Sequence, residues 1–183
     1  VVYGSSSLAS FNVTEFKNAG FSKGFMVSNI GQSATTATNI ASDMTFVGDV
    51  NGDGLDDIVV PGVTEAKVIF GRATGVNVDA SQIGTAGNTQ GFAITGLSGL
   101  TSQDIYTRVA GIGDFNGDGL ADMLVTAAEA PITGYTTTRI GHAWVIYGKT
   151  DTGTVNVSSL QPSQGFWIKP YATDSYLTGI DAA

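Results

Sequence analysis

Asp49-Val50-Asn51-Gly52-Asp53-Gly54-Leu55-Asp56-Asp57 returns 65 residues later as Asp114-Phe115-Asn116-Gly117-Asp118-Gly119-Leu120-Ala121-Asp122. Both copies carry side-chain oxygens at positions 1, 3, 5 and 9 and glycine at positions 4 and 6. Calcium takes about six to eight oxygen ligands at roughly 2.3–2.6 Å, and glycine permits the positive φ angles of a tight wrap. Three carboxylates, one Asn carbonyl and the backbone carbonyl of position 7 form such a set. The expected ligands are Asp49, Asn51, Asp53, Leu55 and Asp57 for one Ca²⁺, and Asp114, Asn116, Asp118, Leu120 and Asp122 for a second. Position 8 alternates between Asp56 and Ala121, so it is read as a solvated bystander. A single copy would be equally compatible with plain Asn-Gly and Asp-Gly hairpin turns. Retention of every oxygen in two copies favours the metal.

The flanks decide which kind of loop this is. A helix-loop-helix calcium hand needs a bidentate Glu at position 12, where this chain has Val60 and Val125. The following residues, Ile58-Val59-Val60 and Met123-Leu124-Val125, are short apolar runs and not an amphipathic helix. Dockerin-type loops lead into a helix and fit poorly, and disulfide-rich calcium repeats are excluded by the absence of cysteine. The loop is therefore expected to join two strands.

Composition supports a β-rich chain. Of 183 residues, 25 are glycine and only 13% are charged, yet the net charge is −8. Strong helix formers are scarce, and the length is sufficient for one domain with a sizeable core. The acidity argues against nucleic acid and anionic membrane surfaces as partners. Part of it is metal demand, because two Ca²⁺ ions would bring −8 to about −4. No run of eighteen apolar residues is present, so no membrane span is expected. Low-affinity calcium loops need the millimolar calcium found outside cells, which points to a secreted or cell-surface protein. Asn12-Val13-Thr14 and Asn156-Val157-Ser158 match the glycosylation sequon, a common chance match.

Further markers recur with the loops. An aromatic-Gly pair ends an apolar run at Tyr3-Gly4, Phe70-Gly71 and Tyr147-Gly148, and a Gly-Phe pair opens one at Gly24-Phe25, Gly91-Phe92 and Gly165-Phe166. Each unit thus reads strand, metal loop, strand, hairpin, strand, long connection, strand. The expected strands are Val1–Gly4 and Phe25–Ser28, then Thr45–Gly48, Asp57–Val60, Lys67–Phe70 and Phe92–Thr95, then Thr107–Gly113, Ala121–Thr126, Ala143–Tyr147 and Phe166–Lys169. Residues 1–42 read as the outer strands of a preceding unit, 43–105 and 106–170 as two whole units, and 171–183 as the approach to another. Runs such as Ile58-Val59-Val60 and Trp144-Val145-Ile146-Tyr147 are apolar on both strand faces. That is the pattern of strands sandwiched between neighbouring propeller blades.

The doubled loop with its leading Gly48 and Gly113, the Phe70-Gly71 and Tyr147-Gly148 strand ends and the Gly-Phe strands together resemble the FG-GAP repeat family. These are the calcium-binding β-propeller repeats of integrin α-subunits and bacterial surface proteins. The resemblance implies four-stranded antiparallel blades, with Ca²⁺ held between the first two strands. It implies two full blades plus two strands of a preceding one, in a propeller completed by further blades of the same parent or by neighbouring chains. The family's Gly-Ala-Pro element departs here to Val60-Pro61-Gly62 and Ala128-Glu129-Ala130-Pro131. The first hairpin is also the shorter, so ligand surfaces built there should differ between the units.

Other chemistry is weakly indicated. His142, the single histidine, has no nucleophile pattern beside it and is read as a packing residue. Asp104 and Asp174 recur at one repeat position and are read as turn caps rather than a catalytic pair. Trp144 and Trp167 lie in apolar strands and are expected in the core, although tryptophans also stack on sugars. The functional expectation is a non-enzymatic extracellular module for adhesion or ligand binding, with a protein or glycan partner. The alternatives are a glycan-binding propeller lectin and the accessory domain of a secreted hydrolase or lyase.

Overall fold

The computed structural model describes residues 1–3, 14, 23–30, 44–62, 64–97, 107–131 and 139–168. Eleven strands appear among them: β1 (Val27–Ser28), β2 (Thr45–Gly48), β3 (Asp57–Val60), β4 (Ala66–Ile69), β5 (Val78–Asp79), β6 (Gly91–Thr95), β7 (Thr107–Gly113), β8 (Asp122–Pro131), β9 (Arg139–Ile146), β10 (Val155–Asn156) and β11 (Gly165–Ile168). The described residues contain no α-helix, only short 3-10 turns such as Ala80–Gln82 and Val157–Ser159.

Each repeat folds into one antiparallel meander. In the first unit β2 pairs with β3, β3 with β4 and β4 with β6. In the second β7 pairs with β8, β8 with β9 and β9 with β11. The first two strands of each unit meet through a register shift just before the acidic loop, between Phe46 and Gly48 and between Gly111 and Gly113. Gly48 and Gly113 take φ of 82° and 72° there, angles that glycine adopts without Cβ strain. The glycines of the Gly-Phe pairs in the two units have a different reason. A Cβ on Gly91 or Gly165 would run into the carbonyl of Val68 or Val145 on the neighbouring strand.

Burial explains the doubly apolar strands. Along β3 and β4, Val59, Ala66 and Val68 enter the large cluster shared with Val109, Met123, Val125, Trp144 and Ile146 of the second unit. The alternate residues Ile58, Val60 and Ile69 enter a second cluster with Phe25, Val78 and Ile83. Strand side chains alternate between faces, so a sheet covered on both sides needs apolar residues at every position. Each fully buried Val or Ile side chain contributes about 1.5–3 kcal/mol, and the shared cluster joins the two units through such residues.

Two strands lie outside the sequence expectation. β5 and β10, inside the long connections, each join the outer strand of the preceding unit in parallel: β5 on β1 and β10 on β6. The second unit thereby adds a fifth strand to the first unit's sheet. Two-residue strands carry no readable periodicity, which is why the pattern hides them. The expected pair Val1–Gly4 and Phe25–Ser28 is present as a bridge between Val2 and Gly24, flanked by bonds from Tyr3 N to Lys23 O and Phe25 N to Val1 O, with β1 continuing it. Asp43, Asp104, Tyr106, Lys169, Asp174 and Asn12 lie outside the described residues, as do the side chains of residues 128–131.

Candidate metal centre

The two acidic loops are the same object built twice. In the first, the position-1 carboxylate of Asp49 accepts the N–H groups of Gly52 (2.7 Å), Asp53 (3.0 Å) and Gly54 (2.7 Å). In the second, Asp114 accepts those of Gly117 (2.7 Å), Asp118 (3.0 Å) and Gly119 (2.9 Å). Asn51 Oδ1 accepts from Asp53 N at 2.9 Å, as Asn116 Oδ1 does from Asp118 N at 2.8 Å. Asp53 and Asp118 accept the N–H of Leu55 and Leu120, each at 2.9 Å. Gly52, Gly54, Gly117 and Gly119 all take φ between 80° and 92°, as the expected wrap requires.

Position 9 differs from the rest of the loop. Asp57 and Asp122 are fully buried. Asp57 accepts the N–H of Val50 at 2.8 Å and of Gly71 at 2.6 Å. Asp122 accepts those of Phe115 (2.8 Å), Asn116 (3.1 Å) and Gly148 (2.8 Å). This carboxylate ties the loop to the aromatic-Gly pair at the end of the third strand, a role the sequence reading missed. The signal was present in the recurrence of Gly71 and Gly148. Their Cβ positions are closed by the carbonyls of Asp56 (2.5 Å) and Ala121 (2.6 Å). Burial raises the Asp57 carboxyl to about 7; the Gly71 and Val50 N–H groups pull it down, and Asp53 and Asp49 push it further up.

The donor set suits a hard cation. In the first loop every side-chain oxygen of Asn51, Asp53 and Asp57 accepts a single N–H, as does Asp49 Oδ2. Each keeps a second lone pair for a metal. Among the described residues, no three His, Cys, Asp or Glu side chains are gathered around one point as a bound ion would draw them. The loops carry oxygens of the kind a hard cation takes. The backbone carbonyls of Leu55 and Leu120 complete the expected set.

Position 8 has a part of its own. Asp56 is exposed, as expected. Ala121 lies against the first unit: its N–H donates to the Asp49 carbonyl at 2.9 Å, and its methyl would be 2.9 Å from a Cβ on Gly48. A small residue there lets the two loops meet. His142 stacks on Trp144 at 5.5 Å and on Trp167 at 5.3 Å. It is held below the ordinary histidine pKa by burial. Trp144 is a core residue at 7% exposure; Trp167, expected in the core, is 41% exposed because it lies on the outer strand β11.

Fold and site define an all-β protein of repeated antiparallel units, each with an acidic glycine-rich loop between its first two strands. Residues 106–155, within the second unit, match the FG-GAP repeat family. No curated protein and no solved structure matches the chain.

Proposed function

We propose that the units are blades of a calcium-stabilised β-propeller that acts as a ligand-binding or adhesion module outside the cell. The observation that carries this reading is the hydrogen-bond identity of the two loops, with oxygen donors kept at positions 1, 3, 5 and 9. Ca²⁺ would be held by Asp49, Asn51, Asp53, Leu55 and Asp57, and by Asp114, Asn116, Asp118, Leu120 and Asp122. When bound, it neutralises three crowded carboxylates and cross-links the start of each blade to its third strand through position 9. The role is structural and non-enzymatic, and extracellular calcium levels suit loops of this class. The test is calorimetric titration of the metal-stripped chain with CaCl₂, with saturation at two ions per chain expected.

A glycan ligand is the second reading, favoured by a cavity of about 740 Å³ between the units. It is lined by Arg72, Gln90, Thr150, Asp151 and the Asn51–Asp53 side of the first loop. Planar amides, carboxylates and a guanidinium match the paired donors and acceptors of vicinal hydroxyls. A glycan array probed with the chain tests it. Retention of a saccharide that is lost in Gln90→Ala supports it, and an empty array rejects it.

A further inference from the structure

Both acidic loops contain an Asn-Gly bond, Asn51-Gly52 and Asn116-Gly117, and the sequence has no other. Such a bond is chemically labile, because glycine has no side chain to hinder attack by its own nitrogen on the asparagine beside it. The reaction needs only water. The glycine nitrogen gives its proton to a base in solution and attacks Asn Cγ. A succinimide ring closes as the side-chain nitrogen leaves, taking up a proton as ammonia. Water then opens the ring. Breaking the bond from nitrogen to Cγ gives aspartate, and breaking the bond from nitrogen to the main-chain carbonyl carbon gives isoaspartate. In sum, water enters and ammonia departs.

The structure engages both reacting groups. The Gly52 N–H donates to Asp49 Oδ1 at 2.7 Å, and the Gly117 N–H to Asp114 Oδ1 at 2.7 Å. A carboxylate against an N–H resists removal of its proton, both by the hydrogen bond and by its charge. The amide under attack is held at both of its polar atoms. Asn51 Oδ1 accepts the Asp53 N–H at 2.9 Å, and its Nδ2 donates to Asp53 Oδ2 at 3.0 Å. Asn116 is held by Asp118 in the same way, at 2.8 Å and 2.8 Å. Attack turns the planar Cγ tetrahedral and takes these atoms out of the plane in which they bond. Gly52 and Gly117 are both exposed, so water and base reach them. Hydrogen bonds, and not burial, are what hold the reaction back.

We propose that Asn51 and Asn116 are sites of spontaneous deamidation, and that the carboxylates of Asp49 and Asp114 restrain it, each in its own loop. Isoaspartate would route the main chain through the former side chain and lengthen it at that point. The N–H groups of Gly52, Asp53 and Gly54 would then no longer meet Asp49, and the wrap would be lost. The position-1 aspartate thus protects the covalent structure of its loop, a role separate from holding an ion and independent of the calcium assignment.

The test uses the whole chain in mildly alkaline buffer with EDTA, so that no metal contributes. Samples are digested over time and each asparagine is followed by the mass gained when NH₂ is replaced by OH. The folded parent should deamidate more slowly at both positions than the same chain in urea. Asp49→Ala should quicken Asn51 by about ten- to a hundredfold, the factor that corresponds to loss of a hydrogen bond to a charged group, and leave Asn116 at the parent rate. Asp114→Ala should do the converse. The untouched loop reports on the fold, since a variant that merely unfolds would quicken both asparagines. Equal rates in the folded and urea-unfolded parent overturn the proposal. So does an unchanged rate in the altered loop, or equal acceleration of both loops by each single variant.

Discussion

Replacing Asp57 by alanine should be among the most damaging single changes in the chain, with or without calcium. The carboxylate is fully buried and accepts the N–H groups of Val50 and Gly71. Alanine leaves both donors without a partner. An orphaned buried donor costs about 1–3 kcal/mol, so the pair costs roughly 2–6 kcal/mol before any metal is lost. For a chain of this size each kcal/mol lowers Tm by about 2–4 °C, so a fall of about 4–24 °C is expected. Asp56→Ala, at an exposed position, should stay within about 0.5 kcal/mol. Urea denaturation followed by tryptophan fluorescence, in calcium and in EDTA, measures both. The parent should lose stability on chelation. Asp57→Ala should remain well below the parent even in EDTA, because the backbone role survives metal removal. Equal stability of the two variants, or an Asp57→Ala indistinguishable from the parent in EDTA, would refute the tie between position 9 and the third strand.

Gly148→Ala should destabilise by more than the ~1–2 kcal/mol of a left-handed alanine, because its methyl would meet the Ala121 carbonyl at 2.6 Å and Leu120 Cβ at 2.6 Å. Gly119→Ala, with φ of 92° and open space around it, should cost only that backbone penalty; thermal melts of the two compare them directly. Ile94→Ala, at a position with no exposure between the units, should cost about 2–5 kcal/mol in urea denaturation. His142 is held below its ordinary value of 6.5 by burial. As pH falls below 6.5 the unfolded chain takes up a proton that the folded chain resists, so stability falls with acidification. His142→Gln removes this contribution, and the gap in Tm between the parent and His142→Gln should change in the parent's disfavour from pH 8 to pH 5; a constant gap contradicts it.

Much of this architecture is legible because the chain repeats itself. The eight inner and outer strands of the two units follow from apolar runs bounded by recurring glycine pairs, and most ends fall within a residue or two of the expectation. β8 and β9 are the exception, running on to Pro131 and starting at Arg139. A long hairpin continues its ladder past the point where apolar patterning fades. The backbone wrap of the loops is legible for the same reason, since the glycines that survive duplication, Gly52, Gly54, Gly117 and Gly119, all take positive φ. What sequence pattern does not carry is the bonding between units. β5 and β10 are too short for periodicity, and the contact of Arg72 and Lys149 with Phe25 and Phe92 depends on rings brought close by packing. The apolar strand around Trp167 points to the core. An outer strand whose described partner is β9 alone leaves that ring partly exposed.

The most direct test of the calcium assignment is the number of ions bound. Equilibrium dialysis of the metal-stripped chain against ⁴⁵Ca²⁺ at millimolar concentration should give two ions per chain. Asp53→Asn should give one, Asp118→Asn one, and the double variant none, with the fold retained because both side chains bond only within exposed loops. Absence of bound calcium in the parent chain, or full binding by the double variant, would contradict the assignment of these two loops as metal sites.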